Sequence, residues 1–321
     1  MQTEIEIKFF VVRDIQEKIS NLLNKLDIIS HGLLELGNVY FDTPDLALRR
    51  LDMGLRIRRS DNFSEQTIKC RGQAVGGLHA RPEYNAPVMG ELPTLASFPD
   101  DIWPALAVRD EIQPRLVAQF RTDFVRQHWL VTFESAGESA EIELAWDRGE
   151  IVGSLGSTDI DELELELKSG EASALFALAA ELTSLGGIRL GAQSKAQRGY
   201  RLAGLGKALA PYPLPDMSGL DTKACISLGL QHWQHHEQLW LESEGPTRQQ
   251  ACLGILQACA LVAEATGTLA AEPSWLPELL AQQASLVQAA EGGDERLLTL
   301  FQQAAFVRLQ LAIAAWLHLD A

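Results

Sequence analysis

Positive charge is scarce in this chain: 27 lysines and arginines stand against 43 aspartates and glutamates, a formal net charge of −16 at pH 7 over 321 residues. No global positive field would draw in nucleic acid or an anionic membrane, so neither is expected as a partner. Cysteine is equally sparse. Cys70, Cys225, Cys252 and Cys259 make no close pairs of the kind that hold zinc and no dense disulfide framework, so reduced, partly buried thiols are expected. Apolar runs of membrane-spanning length are missing, and the charged N-terminal stretch has no signal-peptide core, which makes the cytoplasm the expected location. Gly204-Leu205-Gly206-Lys207 lacks the full Walker spacing and the following Ser or Thr, so it is not read as a phosphate loop.

What is present in quantity is alternation. Glu4-Ile5-Glu6-Ile7-Lys8 switches between charge and Ile with a period of two, and in a β-strand that places Glu4, Glu6 and Lys8 on one face. The pattern returns in Glu162-Leu163-Glu164-Leu165-Glu166-Leu167-Lys168 and in Glu141-Ile142-Glu143-Leu144-Ala145-Trp146-Asp147. Basic versions occur in Leu55-Arg56-Ile57-Arg58, Thr67-Ile68-Lys69-Cys70-Arg71 and His79-Ala80-Arg81-Pro82-Glu83. If these strands close one antiparallel sheet with the apolar face outward under helices, acids and bases together line a lumen. With the opposite parity the same strands make a small barrel with an apolar filling and a charged skin. Alternation alone leaves both readings open.

Strand-like alternation fills 3–11, 33–41, 53–60, 64–71, 78–86, 121–134, 140–155 and 161–168, with helical periods at 13–26, around 109–119 and at 171–185. Asp61-Asn62 and Gly76-Gly77 are natural turns, and the last piece of the sheet is expected as a loop and strand over Ser194 to Leu202. Pro211, Pro213 and Pro215 make 205–218 an extended linker. Beyond it, Leu, Ala and Gln follow a helical period, and four helices are expected near 221–243, 247–269, 274–290 and 294–319. The fold class is therefore α+β: a closed antiparallel β-barrel, or tunnel, with flanking helices over 1–204, then an all-α bundle over 219–321. In the bundle, Cys252 and Cys259 share one helix face, a core spacing. His232 and His236 have the spacing of a helical metal pair, but a solvated helix face explains them equally.

Seven segments in order carry a likeness: Glu4-Ile5-Glu6-Ile7-Lys8, Tyr40-Phe41-Asp42-Thr43, Leu55-Arg56-Ile57-Arg58, Thr67-Ile68-Lys69, Arg81-Pro82-Glu83, Glu164-Leu165-Glu166-Leu167-Lys168 and Ser194-Lys195-Ala196-Gln197-Arg198-Gly199-Tyr200. Over roughly 1–204 the chain resembles the CYTH superfamily, the triphosphate tunnel metalloenzymes, which includes inorganic and thiamine triphosphatases, class IV adenylyl cyclases and messenger-RNA triphosphatases. That resemblance implies Glu4, Glu6, Glu164 and Glu166 as ligands of Mg²⁺ or Mn²⁺, with two ions expected. It implies Lys8, Arg56, Arg58, Lys69, Arg81, Arg121, Lys168 and Lys195 as the substrate cradle, with Glu164, Glu166 or Lys195 taking a proton in catalysis. For Glu141, Glu143, Asp147 and Glu162, orienting the cations and touching metal stay equally open, and Tyr40, Asp42 and Thr43 are expected to fix a strand end.

The activity so implied is hydrolysis of inorganic triphosphate to pyrophosphate and orthophosphate. An adenylyl cyclase or an organic triphosphatase is the rival within the family, and a non-catalytic phosphate-binding module is the rival outside enzymes. The helices after the tunnel region resemble a shortened CHAD domain, but Lys223, Arg248, Arg296 and Arg308 are their only cations from 219 onward, against eleven acids, too few for a polyanion platform. A structural or oligomeric role is expected there, including a homodimer through the helices.

Overall fold

The computed structural model describes residues 2–75, 77–135 and 137–319. Gly76 of the expected Gly76-Gly77 turn lies outside the described residues. In chain order the first part runs β1 (Gln2–Val11), α1 (Gln16–Leu23), β2 (Asp27–Asp42), α2 (Ala47–Arg50), β3 (Gly54–Ser60), β4 (Phe63–Lys69), β5 (Gln73–Val75) and β6 (Leu78–Pro87). It continues through α3 (Leu106–Ile112), β7 (Val117–Ser135), β8 (Glu138–Gly153), β9 (Gly156–Ser169), α4 (Ala172–Ser184), β10 (Ile188–Leu190) and α5 (Lys195–Leu202).

Eight of these strands close on themselves in the order β1-β9-β8-β7-β2-β3-β4-β6 and back to β1. Every pairing is antiparallel. One edge of β1 is shared: β6 takes it from Gln2 to Ile7, and β10 takes it from Phe9 to Val11. Closure removes the exposed edges that a flat sheet would present.

The parity left open by alternation is decided by what covers the outside. Ile7, Phe9, Leu144, Trp146, Leu163 and Leu165 are buried outside the ring in one core with α1 and α4. Leu55, Ile57 and Ile68 are buried in a second core on the β3–β4 side. Helices supply the apolar layer, so the charged parity turns inward. Inside, one end of the ring is filled by Leu36, Tyr40, Phe120, Phe124, Ile151 and Ile160, closed by Tyr200 of α5.

The segment expected as a strand at Ser194 to Leu202 is a helix. Ser194 Oγ accepts from the Gln197 backbone N–H and Gln197 Oε1 accepts from the Ser194 N–H, a capping box that satisfies two otherwise orphaned donors and starts α5. Gly199 lets this helix lie against β7, since a Cβ there would stand 2.0 Å from the Phe120 ring.

The C-terminal part holds α6 (Thr222–Glu242), α7 (Gly245–Thr266), α8 (Leu276–Glu291), α9 (Asp294–Phe301) and α10 (Ala304–Leu319). Asp221 caps α6 by accepting from the Ala224 N–H at 2.7 Å. The single helix expected over 294–319 is two helices meeting at a 54° bend. Phe301 and Phe306 explain it: five residues apart, they would diverge on a straight helix, yet both are fully buried with ring centroids 5.5 Å apart. Among the described residues no single helix is long and apolar enough to cross a membrane. The helical part shares the core of the ring rather than hanging from it. Its α10 lies against α4 and β10, and His318 meets Phe176 with centroids 5.9 Å apart.

Candidate active site

The inward parity of the ring converges on a cavity of about 300 Å³. Eight cationic and six acidic side chains line it, so its local charge is opposite in sign to that of the whole chain. Register makes the convergence: Glu6 lies directly across from Glu166, Lys8 from Glu164, Glu143 from Glu166, and Gly54 from Lys69. At an effective dielectric near 20, a unit pair about 4 Å apart interacts by roughly 4 kcal/mol, so enclosure multiplies what each contact is worth in water.

Most of the cations already hold carboxylates. Lys8 Nζ donates to Glu6 at 2.9 Å and to Glu164 at 2.7 Å. Lys195 Nζ reaches Asp147, Glu162 and Glu164 at 2.9, 2.8 and 2.9 Å. Arg126 grips both oxygens of Asp147 at 2.7 Å and Glu164 at 2.6 Å. Lys69 bonds Glu4 and, at 2.8 Å, Glu83, while Lys168 meets Glu166 at 2.8 Å. Three arginines differ. Among the described residues no carboxylate lies within salt-bridge distance of Arg56, Arg58 or Arg81. Arg58 Nε donates to Asn38 Oδ1 at 2.8 Å, Arg81 Nε donates to the Cys70 carbonyl at 3.1 Å, and Arg56 Nε is buried with no acceptor. A half-buried guanidinium without a carboxylate is not neutralised, so these three present charge to whatever anion enters.

The protonation tendencies divide the acids. Burial acts to raise Glu164, but Lys195, Lys8 and Arg126 override it and hold the group well below the ordinary carboxylate range. Glu6 is likewise lowered, with burial outweighed by Lys8 and Lys69. Glu4 goes the other way: burial pushes it up to about 7 despite Lys69. Burial also raises Glu166. For Lys195, burial is overcome by Asp147, Glu162 and Glu164, which hold the ammonium charged. Burial and neighbouring Arg56 lower Arg58 to about 10, still charged at neutral pH.

Glu4, Glu6, Glu166 and Glu143 form a run of hard oxygen donors along adjoining β1, β9 and β8, and that chemistry suits Mg²⁺ or Mn²⁺. Each of the first three is engaged by a lysine, and among the described residues no three His, Cys, Asp or Glu side chains already converge on a point that could hold a metal. The donor set fits a divalent ion that displaces these ammonium groups.

The cavity thus gathers Glu4, Glu6, Lys8, Arg56, Arg58, Lys69, Arg81, Glu164, Glu166, Lys168 and Lys195. Arg121 is not among them. It has the outward parity of β7, its side chain is 57% exposed, and it pairs with Asp123 at 3.2 Å. Arg126 lines the cavity in its place, together with His79 and Glu83. His79 is neutral in this setting, lowered to about 4 by burial and by Lys8. Arg126 breaks the sequence pattern because Phe120, Thr122 and Phe124 of its own parity are uncharged. Only its register opposite Asp147 marks it. Asp42 does fix the end of β2, accepting the Leu48 and Arg49 N–H groups at 2.9 and 3.0 Å, whereas Tyr40 lines the cavity. His232 and His236 are not a solvated face: both are buried, with rings 4.0 Å apart beneath Tyr212, and among the described residues no third His, Cys, Asp or Glu joins them at a point that could hold a metal.

A model of the CYTH domain matches residues 2–200. An inorganic triphosphatase of Haemophilus influenzae is 39% identical over 207 residues, which cover 63% of this chain and 55% of that protein, so the chain spans about half the length of this relative. Among solved structures, a Hippeastrum protein described as an adenylyl cyclase with a dominant triphosphatase activity is 19% identical, covering 64% of this chain and 97% of that one, with a TM-score of 0.41. A Bacillus halodurans protein described as an adenylate cyclase is 23% identical over 62% of this chain and 98% of its own, with a TM-score of 0.36.

Proposed function

The chain belongs to the CYTH domain family, and from that premise we propose that it hydrolyses a linear triphosphate inside its ring of strands, with inorganic triphosphate as the substrate and pyrophosphate and orthophosphate as products. The observation that carries this reading is the set of three arginines, Arg56, Arg58 and Arg81, that face the cavity without a carboxylate partner while a run of glutamates occupies the same wall. The arginines bind and orient the phosphates. Forked guanidinium donors match phosphate oxygens better than point charges do.

Glu4, Glu6, Glu164 and Glu166, joined by Glu143 opposite Glu166, are the residues that would hold Mg²⁺ or Mn²⁺, two ions being the family's expectation. When bound, such ions neutralise phosphate charge and make water more acidic. The remaining work belongs to the protein. As a phosphate enters, Lys8, Lys69 and Lys168 exchange glutamate oxygens for phosphate oxygens, and the cradle closes on the substrate. Of the three groups considered for the proton of the attacking water, Lys195 is held charged and Glu164 is held ionised by three cations, which makes both weak bases. Glu166, raised by burial, is the strongest base of the three where its oxygens are not held by a divalent ion.

A substrate panel tests the reading: inorganic triphosphate, pyrophosphate, long polyphosphate, ATP and thiamine triphosphate, each with Mg²⁺ and with Mn²⁺. Metal-dependent orthophosphate release from triphosphate supports it. Cyclic AMP from ATP would make the chain a cyclase, and binding without turnover would make it a phosphate-binding module.

A further inference from the structure

Helix α5 carries Lys195 into the cavity, and the loop before it begins at Gly191, whose N–H donates to the Lys8 carbonyl at 2.8 Å. Both flanks of this loop and helix are held by α6, an element outside the family-matched residues. On one flank, Arg189 of β10 is buried, with its Nη1 3.8 Å from Glu237 Oε1. Glu237 is only 2% exposed and also accepts from Gln310 of α10 at 2.8 Å. The Arg189 guanidinium lies 4.9 Å above the ring of Phe10, and the guanidinium of Arg198 lies 5.5 Å from the same ring. Arg198 bonds Glu162, the carboxylate that Lys195 reaches at 2.8 Å.

On the other flank, Arg201 at the C-terminal end of α5 donates to Gln193 Oε1 at 2.9 Å and to Glu242 Oε1 at 3.3 Å. Gln193 is the residue before the Ser194 cap. Each flank therefore runs through two or three contacts from a carboxylate of α6 to the segment that aims Lys195.

We propose that Glu237 and Glu242 of α6 are positioning residues for Lys195, so that the helical part of the chain sets the geometry of the cavity from outside it. The proposal rests on the reading of the cavity as a triphosphatase site for its kinetic arm alone. A misplacement of about 1 Å in a positioned catalytic group costs on the order of a hundred-fold in rate, so a loosened α5 should register in kcat rather than in KM.

The test is a double-mutant cycle in the full chain with inorganic triphosphate. Glu242 is partly exposed, so Glu242→Gln should leave the melting temperature within about 2 °C of the parent. It should lower kcat roughly five- to ten-fold with KM changed less than about two-fold. In a Lys195→Gln background the same change should add nothing, because the two effects travel through one side chain. Unchanged kcat, or losses that multiply in the double variant, overturns the proposal. Glu237→Gln leaves Arg189 buried without its acid, so it is compared with Glu237→Gln/Arg189→Met, and kcat should stay low in both once the fold is restored. Recovery of full kcat in the second variant overturns the Glu237 half. Should Lys195→Gln turn over too slowly to measure, amide hydrogen exchange decides. Residues 191–198 should exchange about ten-fold faster in Glu242→Gln, with β9 unchanged, and equal exchange overturns the proposal. A parent enzyme that does not hydrolyse triphosphate would dispose of the proposed function and leave the exchange arm standing.

Discussion

Glu6 and Glu166 sit directly opposite one another across the β1–β9 ladder, yet neither bonds the other: Lys8 holds Glu6 at 2.9 Å and Lys168 holds Glu166 at 2.8 Å. Two carboxylates forced together by register repel, and burial sharpens the repulsion. A lysine on each relieves it here, and a shared divalent cation would relieve it more fully.

Replacing either acid should therefore separate folding from catalysis. Glu6→Gln and Glu166→Gln are expected to lower triphosphate turnover by about two orders of magnitude or more at saturating Mg²⁺, with circular dichroism unchanged. Turnover comparable to the parent in both variants would discredit the assignment of these acids to metal.

The arginines give a test of placement. Arg58 faces the cavity with no acid of its own, whereas Arg121 points outward to Asp123. By calorimetry, Arg58→Ala should weaken triphosphate binding about ten- to a hundred-fold, the value of a charged hydrogen bond or two. Arg121→Ala should change it less than about two-fold, since an exposed charge is screened. Equal losses would return Arg121 to the cradle.

The difference between those two arginines also marks how far the sequence could be read. Period-two charge in β1, β3 and β9 announced the strands and their ionic face, because a strand allows only two sides. Which side pointed inward depended on α1, α4 and the C-terminal helices covering the apolar face, a tertiary fact outside any one strand. Arg121, implied as a cradle residue by the family resemblance alone, shares the outward parity of Asp123, while Arg126 stands among uncharged residues of its own parity and is identified by its partner strand. Ser194 and Gln197 did carry a helix signal, three residues apart, which the preceding run of strands obscured. The bend between α9 and α10 has no Pro or Gly at the break, and it follows from the burial of Phe301 and Phe306 together.

Acid should weaken both the helical part and the ring, since His232 of α6 and His79 of β6 are each held below the ordinary histidine value. Burial, then the nearby rings of His236 and His235, hold His232 at about 4, below its ordinary 6.5. The folded protein thus binds this proton more weakly than the unfolded chain does, so its contribution to stability is complete above about pH 6.5 and is lost as pH falls toward about 4. The loss is on the order of 1 to 2 kcal/mol once solvent screening is allowed for. Urea unfolding at about pH 7.5 and about pH 5 measures it, and His232→Leu should reduce the difference, His79 and His236 keeping the rest. An equal difference in that variant would clear His232 of the effect.

The continuity of the core bears on whether the family-matched region can stand alone. Phe176 of α4 meets His318 of α10, α10 also covers β10, and Arg189 of β10 reaches Glu237 of α6. Cutting the chain after Gly204 would uncover apolar surface on α4 and β10, and each fully buried Leu, Ile or Phe returned to water loses about 1.5 to 3 kcal/mol. Two or three such residues approach the whole stability of a domain. The fragment 1–204 is therefore expected to aggregate, or to melt well below the full chain, when followed by size-exclusion chromatography and thermal unfolding. A monomeric fragment with the full chain's melting temperature would mean that the ring owes nothing to the helices packed against it.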